Sequence, residues 1–173
     1  MIFGATGVVS GDFDRNTAAG YRARLELKTA IGEGTLTTRL QSDNLGSATG
    51  ATPEGSLSWT GDAAGTVAVD ALKYEFPLTP QTQLVVAANA GASDDFTDTI
   101  NPYFDGDGAS GSISAFGNRP SIYYTVQGAG AGIRHKLSDS VELSLGYLSS
   151  TSNTPTTGNG LFGGSYGALA QLT

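Results

Sequence analysis

The sequence contains no cysteine, one histidine, one tryptophan and one methionine among 173 residues. Without cysteine there is no disulfide framework and no thiolate metal site, and a Cys-His nucleophile pair is impossible. Charge is scarce as well: Asp, Glu, Lys and Arg make up 14% of the chain, where about a quarter is usual for a soluble globular protein. No apolar run approaches the ~18 residues of a membrane helix, which excludes a helical membrane protein. The opening MIFGATGVVSGDFD has neither a basic n-region nor a cleavage site after a long apolar core, so no signal peptide is visible. The net charge of -7 argues against a nucleic-acid partner, which calls for a basic stripe or a high pI.

What is present is alternation. In YRARLELKTAI, residues 21 to 31, Arg22, Arg24, Glu26 and Lys28 occupy the even positions and no odd position is charged. The same two-residue period recurs in Leu36-Thr38-Leu40, Leu72-Tyr74-Phe76, Leu84-Val86-Ala88-Ala90 and Ile122-Tyr124-Val126. It returns in Ala129-Ala131-Ile133-Leu137, Val141-Leu143-Leu145-Tyr147 and Tyr166-Ala168-Ala170-Leu172. A helical period is almost nowhere to be found, so the chain reads as eight or nine strands of roughly 7 to 11 residues. One segment, TVAVDALKYEFPL, is out of phase with itself. A bulge near Asp70 restores its register, and two separate short strands are the alternative.

The connections are of two kinds. IGEGT and LSDSV are short and rich in Gly, Asp and Ser, as antiparallel hairpins require. The segments after Gln41, Gly91 and Leu148 are far longer. Short and long connections alternate, which puts the long ones at one end, as in outer-membrane barrels with tight periplasmic turns and long outer loops.

Charge sorts by position. Opposite the apolar faces stand Arg22, Arg24, Lys28, Arg39, Lys73, Arg134 and Lys136 against Glu26, Glu75 and Glu142, while nearly all Asp lies in connections or at strand ends. In a soluble sandwich these are ordinary solvated faces; in a barrel they line the lumen. The apolar faces carry Ala, Leu, Val and Tyr without large core-filling clusters. Tyr recurs near strand ends as an aromatic girdle does, and Trp59 lies beside a long connection.

Enzymatic and cofactor-binding chemistry finds little to stand on. His135, between Arg134 and Lys136, reads as a strand-end or interface residue, and no GxSxG context accompanies it. GAGAGI misses the dinucleotide-binding spacing and leads into no helix. DGDG at 105 to 108 starts like a calcium loop, but Ala109 and Phe116 stand where ligands belong. Asp94, Asp95, Asp98, Asp105 and Asp107 form an acidic cluster that reads as a solvated loop rather than a cation site. No enzyme activity, metal or cofactor is therefore expected.

Residues 95 to 172 resemble the cyanobacterial-type outer-membrane porins of the carbohydrate-selective porin family, also called iron-uptake porins. The resemblance rests on NPYF, the Gly-rich loop running into SAFGNRPSIYY, GAGAGI, LSDSVELSLGYL and GNGLFGGSYGALAQL, in that order. Upstream, RARLELKTAIGEGTLTTRLQSDN is similar to that family's opening hairpin. The resemblance implies an antiparallel transmembrane β-barrel in the cell outer membrane, trimeric, through which small solutes and inorganic ions diffuse passively. Such porins begin with a signal peptide and an S-layer-homology domain and run to many more strands, so residues 1 to 173 are expected to be a single β-barrel region forming part of a larger barrel. The ten strand-face charges named above are then pore-lining, and seven basic against three acidic predict a mild anion preference opposed by acidic loops. A connection as long as residues 91 to 121 is usually functional. Phe96, Tyr103, Phe104 and Phe116 give it something to pack with, and together with Arg119 they mark it as a constriction or a trimer contact. Two alternatives stand beside the porin: a small closed eight-stranded barrel filled by side chains, with an anchoring or binding role, and a soluble β-sandwich binding module.

Overall fold

The computed structural model describes residues 2–5, 17–44, 61, 63–101, 103, 112 and 117–173. Among these residues the protein is all-β. The strands are β1 (Ile2–Ala5), β2 (Thr17–Gly20), β3 (Arg22–Ile31), β4 (Gly34–Asp43), β5 (Ala68–Thr79), β6 (Thr82–Gly91), β7 (Gly128–Ser138), β8 (Val141–Ser149) and β9 (Tyr166–Leu172). Strands β1 and β2 pair antiparallel in a sheet of two, and β3 to β9 form a second sheet of seven in chain order. Among the described residues that sheet is open, with β3 and β9 as its edges.

The alternation of connections predicted from turn chemistry is present. Strands β3–β4, β5–β6 and β7–β8 are joined by two residues each, whereas 44–67, 92–127 and 150–165 are long. Each tight turn uses the residues its geometry demands. Gly32 takes a φ of 59° between β3 and β4. Between β5 and β6 the Thr79 and Thr82 hydroxyls bond at 2.9 Å, and between β7 and β8 the Ser140 N–H donates to Ser138 Oγ at 3.2 Å.

The chain divides into two compact units. The first comprises Met1–Leu25, Gln41–Ala68 and Asn101–Arg119; the second comprises Glu26–Leu40, Val69–Ile100 and Pro120–Thr173. In the first, the buried Asp43 carboxylate accepts from the Ala63 N–H at 2.7 Å and from Gln41 Nε2 at 2.8 Å. The Tyr21 N–H donates to Asn44 Oδ1 at 2.8 Å, and the Asn44 N–H to the Tyr21 carbonyl at 3.0 Å. These bonds tie the end of β4 to the start of β3 and to the turn after residue 61.

Register in the second unit shows which side chains share a face. Cα partners run Gln83–Arg134–Ser144–Gln171 across β6 to β9. Beside that row, Glu75, Val85, Gly132, Gly146 and Leu169 align across β5 to β9, and beyond it Lys73, Ala87, Gly130, Leu148 and Gly167. The opposite face carries Tyr74, Phe76, Leu84, Val86, Ala131, Ile133, Leu143, Leu145, Ala168, Ala170 and Leu172. Period-two sequences sort their faces in this way because successive side chains point to opposite sides of the pleat.

The packed core lies on the face that holds the charges. Val85, Phe96 and Leu148 are buried together, with Val126 and Leu169 against them, between the sheet and the 92–127 connection. Ser144 on that face is 0% exposed, while Leu145 and Leu172 on the apolar face are 39% and 68% exposed.

One expectation about strands needs correcting. Ile122–Tyr124–Val126 is not a strand: Ser121–Tyr124 is a 3₁₀ turn, with the Tyr123 N–H donating to the Pro120 carbonyl at 2.9 Å. Pro120, with φ fixed near -54°, starts the turn, and the three-residue period buries Tyr123 while Ile122 and Tyr124 face out. Strand β5 is continuous, and its register with β6 shifts between Leu72 and Lys73, close to Asp70 and opposite Asn89 and Ala87, so in this pair the extra residue is Ala88 of β6. Between Ala87 and Gly91 the register of β6 with β7 shifts again, and Ala90 takes a φ of 47°. This irregular end of β6 delivers the chain onto the charged face.

Candidate functional site

The polar face of β5 to β9, with the segment that crosses it, brings together most of the chemistry in the second unit. The Ser93–Asp95 3₁₀ turn follows β6 directly. Its backbone is closed by the Phe96 and Thr97 N–H groups donating to the Ser93 carbonyl at 3.1 and 3.0 Å, and by the Ala92 N–H donating to Asp95 Oδ2 at 2.9 Å. The turn is therefore locally self-satisfied, which lets it lie over a sheet face without losing backbone hydrogen bonds.

Phe96, 2% exposed, is the knob that seats this turn. A Cβ at either Gly132 or Gly146 would overlap its ring, so these two neighbouring glycines form the dent that receives it. By sequence, glycines at 128, 130 and 132 either leave interior space, open or taken by a folded-in loop, or mark a strand bend or close backbone approach; Gly132 faces the folded-in Phe96, whereas Gly128 and Gly130 are closely approached by the Ser149 and Tyr147 carbonyls.

Charge contacts hold the same turn from both sides. Lys73 Nζ lies 2.6 Å from Asp95 Oδ1 and 3.4 Å from Glu75 Oε1. Arg134 Nη2 donates to the Asp95 carbonyl at 3.1 Å and reaches the Asp94 carbonyl at 3.5 Å, while its Nη1 is 3.4 Å from Asp98 Oδ1. Further along the chain, the Tyr123 hydroxyl donates to Gln171 Oε1, and Gln171 Nε2 donates to the Asp98 carbonyl at 3.0 Å. Both ends of the connection are thus pinned to the row Arg134–Ser144–Gln171. Beside this row, toward the two-residue turns, an open hollow of about 440 Å³ is lined by Gln83, Asp98, Arg134, Lys136 and Glu142 among others.

Of the ten strand-face charges, Lys73 and Arg134 meet the crossing segment, Glu75 pairs with Lys73, and Lys136 and Glu142 are Cα partners at the hollow. Glu26 and Lys28 pair with each other at 3.6 Å on the exposed edge strand. Arg39 pairs with Asp70 at 2.5 Å. Arg22 and Arg24 belong to the first unit, where Arg24 Nε donates to Gln41 Oε1 at 2.6 Å. Of the constriction residues, Phe96 packs as described, but Tyr103 stands 78% exposed and Arg119, with a φ of 33°, is half-buried. Phe104, Phe116, Trp59, Asp105 and Asp107 lie outside the described residues. His135 sits on the apolar face at a strand end, its Nδ1 2.8 Å from Thr82 Oγ1. Among the described residues no cluster of His, Asp or Glu has the arrangement of a metal site.

Sequence reasoning missed Asp70, Asp95, Asp98, Tyr123 and Gln171 as participants. Asp94, Asp95 and Asp98 looked like a solvated loop. Asp95 and Asp98 instead meet strand cations, and Asp94 lends its carbonyl to Arg134. The available signal was their position immediately after a strand whose neighbours carry Lys and Arg on one face.

Two curated relatives match this chain. An uncharacterized protein of Synechocystis sp. is 34% identical over 168 residues, covering 95% of this chain and 31% of its own length. An uncharacterized protein of Nostoc sp. is 34% identical over 188 residues, covering 97% of this chain and 32% of its own. The chain spans about a third of the length of the curated relatives it matches. No protein-family model matches it. No solved structure matches it either.

Proposed function

We propose that this chain is a part of the wall of an outer-membrane porin, a trimeric transmembrane β-barrel that lets small solutes and inorganic ions, carbohydrates among them, diffuse through a water-filled lumen. The observation that carries the reading is the inversion of the sheet over β5 to β9. There the charged face around Lys73, Glu75 and Arg134 is covered and hydrogen-bonded, and the apolar face, with Val86, Leu137, Val141, Leu145, Tyr166 and Leu172, is bare. A water-soluble sheet covers its apolar face and wets its polar one. A sheet surrounded by lipid does the reverse. Short turns alternating with long connections support the same reading, as does the match to proteins of two cyanobacteria.

In this mechanism the strand charges and the crossing segment set the cross-section and the field that a permeating solute meets. The Ala92–Asp98 segment narrows the passage, with Phe96 as its anchor. The test is reconstitution of the intact protein into planar lipid bilayers. Discrete conductance steps are expected, whereas a membrane that stays silent at every voltage contradicts a channel.

One observation favours a second reading. The crossing segment and its charge pairs occupy the polar face closely enough to suit a filled barrel that anchors or binds rather than conducts. That protein would insert into membranes and remain silent in the same measurement.

A further inference from the structure

The strand faces predict an anion preference, yet the strand cations of the second unit do not face an empty lumen. Of the ten strand-face charges, Lys28, Arg39, Lys73, Arg134 and Lys136 of this unit stand against Glu26, Glu75 and Glu142, a count that leaves out Asp70 of β5. Three aspartates outside that count contact three of those five cations: Asp70 on Arg39 at 2.5 Å, Asp95 on Lys73 at 2.6 Å and Asp98 on Arg134 at 3.4 Å. Adding them reverses the balance to six carboxylates against five cations. Two of the three belong to the segment that crosses the polar face, so the reversal is greatest where that segment lies. There Lys73, Glu75 and Arg134 alone leave one positive charge, and Asp95 with Asp98 turn it to one negative, before Asp94 is counted.

We infer that Asp95 and Asp98 are specificity-determining residues, giving the passage a preference for small inorganic cations over anions by placing carboxylates in front of Lys73 and Arg134. The inference rests on the porin reading. Its physical basis is that a permeating ion in a narrow, partly desolvated passage responds to the nearest fixed charges. Asp98 is suited to that role: its side chain is 58% exposed and borders the hollow beside Arg134, Lys136 and Glu142. Asp95 is held more deeply, and its geometry is fixed by the Ala92 N–H and by Phe96 in the glycine dent.

The experiment measures the reversal potential of the intact protein in planar bilayers under a potassium chloride gradient. The wild type is expected to prefer potassium. Asp98→Asn, at an exposed position that folding tolerates, is expected to raise the chloride-to-potassium permeability ratio roughly twofold, and Asp98→Lys further, with Lys73→Gln moving it the other way. Asp95→Asn can also loosen the turn, so its single-channel conductance is read alongside. A rise in chloride preference at unchanged conductance supports the charge role. An anion-selective wild type, or a reversal potential unmoved by Asp98→Asn and Asp98→Lys in a conducting channel, overturns the inference and leaves the porin reading intact. A protein that gives no conductance steps overturns the porin reading and this inference with it.

Discussion

At the scale of single residues, the Phe96 contact with Gly132 and Gly146 is the most demanding feature of the molecule. Neither glycine is needed for an unusual backbone angle here; each is needed because an aromatic ring occupies the space where a Cβ would be. Gly146→Val should therefore destabilise the protein by about 1–3 kcal/mol, the usual cost of overpacking a filled site. Combining it with Phe96→Ala should recover part of that loss, a non-additivity that thermal unfolding in detergent micelles can measure. Tyr123→Phe removes the hydroxyl that donates to Gln171 and should cost about 0.5–1.5 kcal/mol by the same assay. Glycine at 132 was legible in the sequence as a place for close approach, but the identity of the approaching group was not. Phe96 lies 36 positions away along the chain from Gly132 and 50 from Gly146, and no local pattern links them.

At the scale of elements, the strands were readable because each carries its own signal. Alternation in β3 and β5 to β9, with the exposed apolar side chains now on one face and Lys73, Glu75, Arg134 and Glu142 on the other, follows from the pleat alone. The 121–126 segment broke that rule. Its even positions are apolar, but Pro120 and a 3₁₀ turn impose a three-residue period, so Tyr123 is the buried residue. The bare face of β8 yields a direct test of its surroundings. Leu145→Arg should destabilise a lipid-embedded strand by about 2–4 kcal/mol near the bilayer midplane. On a water-exposed strand the same change should be nearly neutral, and denaturant titration of the protein folded into lipid vesicles separates the two.

At the scale of the whole molecule, the inversion of the sheet has consequences for handling as well as for function. A protein whose bare face is apolar should stay monodisperse only in detergent or lipid, and should aggregate when detergent is diluted below its micelle concentration. Size-exclusion chromatography in the two conditions checks this, and a single sharp peak in plain buffer would exclude a membrane-facing role for that face. The long connections share one end of the sheet because every neighbouring pair is antiparallel and every other turn has two residues. The start of the 92–127 connection, through Asp98, uses that position to reach back over the polar face.

The sequence by itself determined the strand period, the sorting of charge to one face and the alternation of tight turns with long connections, because each depends on neighbours within a few residues. It also held the glycines and the acidic run that the crossing segment uses. Only the tertiary structure decided that Asp95 and Asp98 meet Lys73 and Arg134, that Phe96 fills the dent at Gly132 and Gly146, and that the small core forms on the charged side. The ion pairs and the Phe96–glycine contacts join residues 22 to 50 positions apart. What selects them is the shape and charge of a surface that does not exist until β5 to β9 have paired.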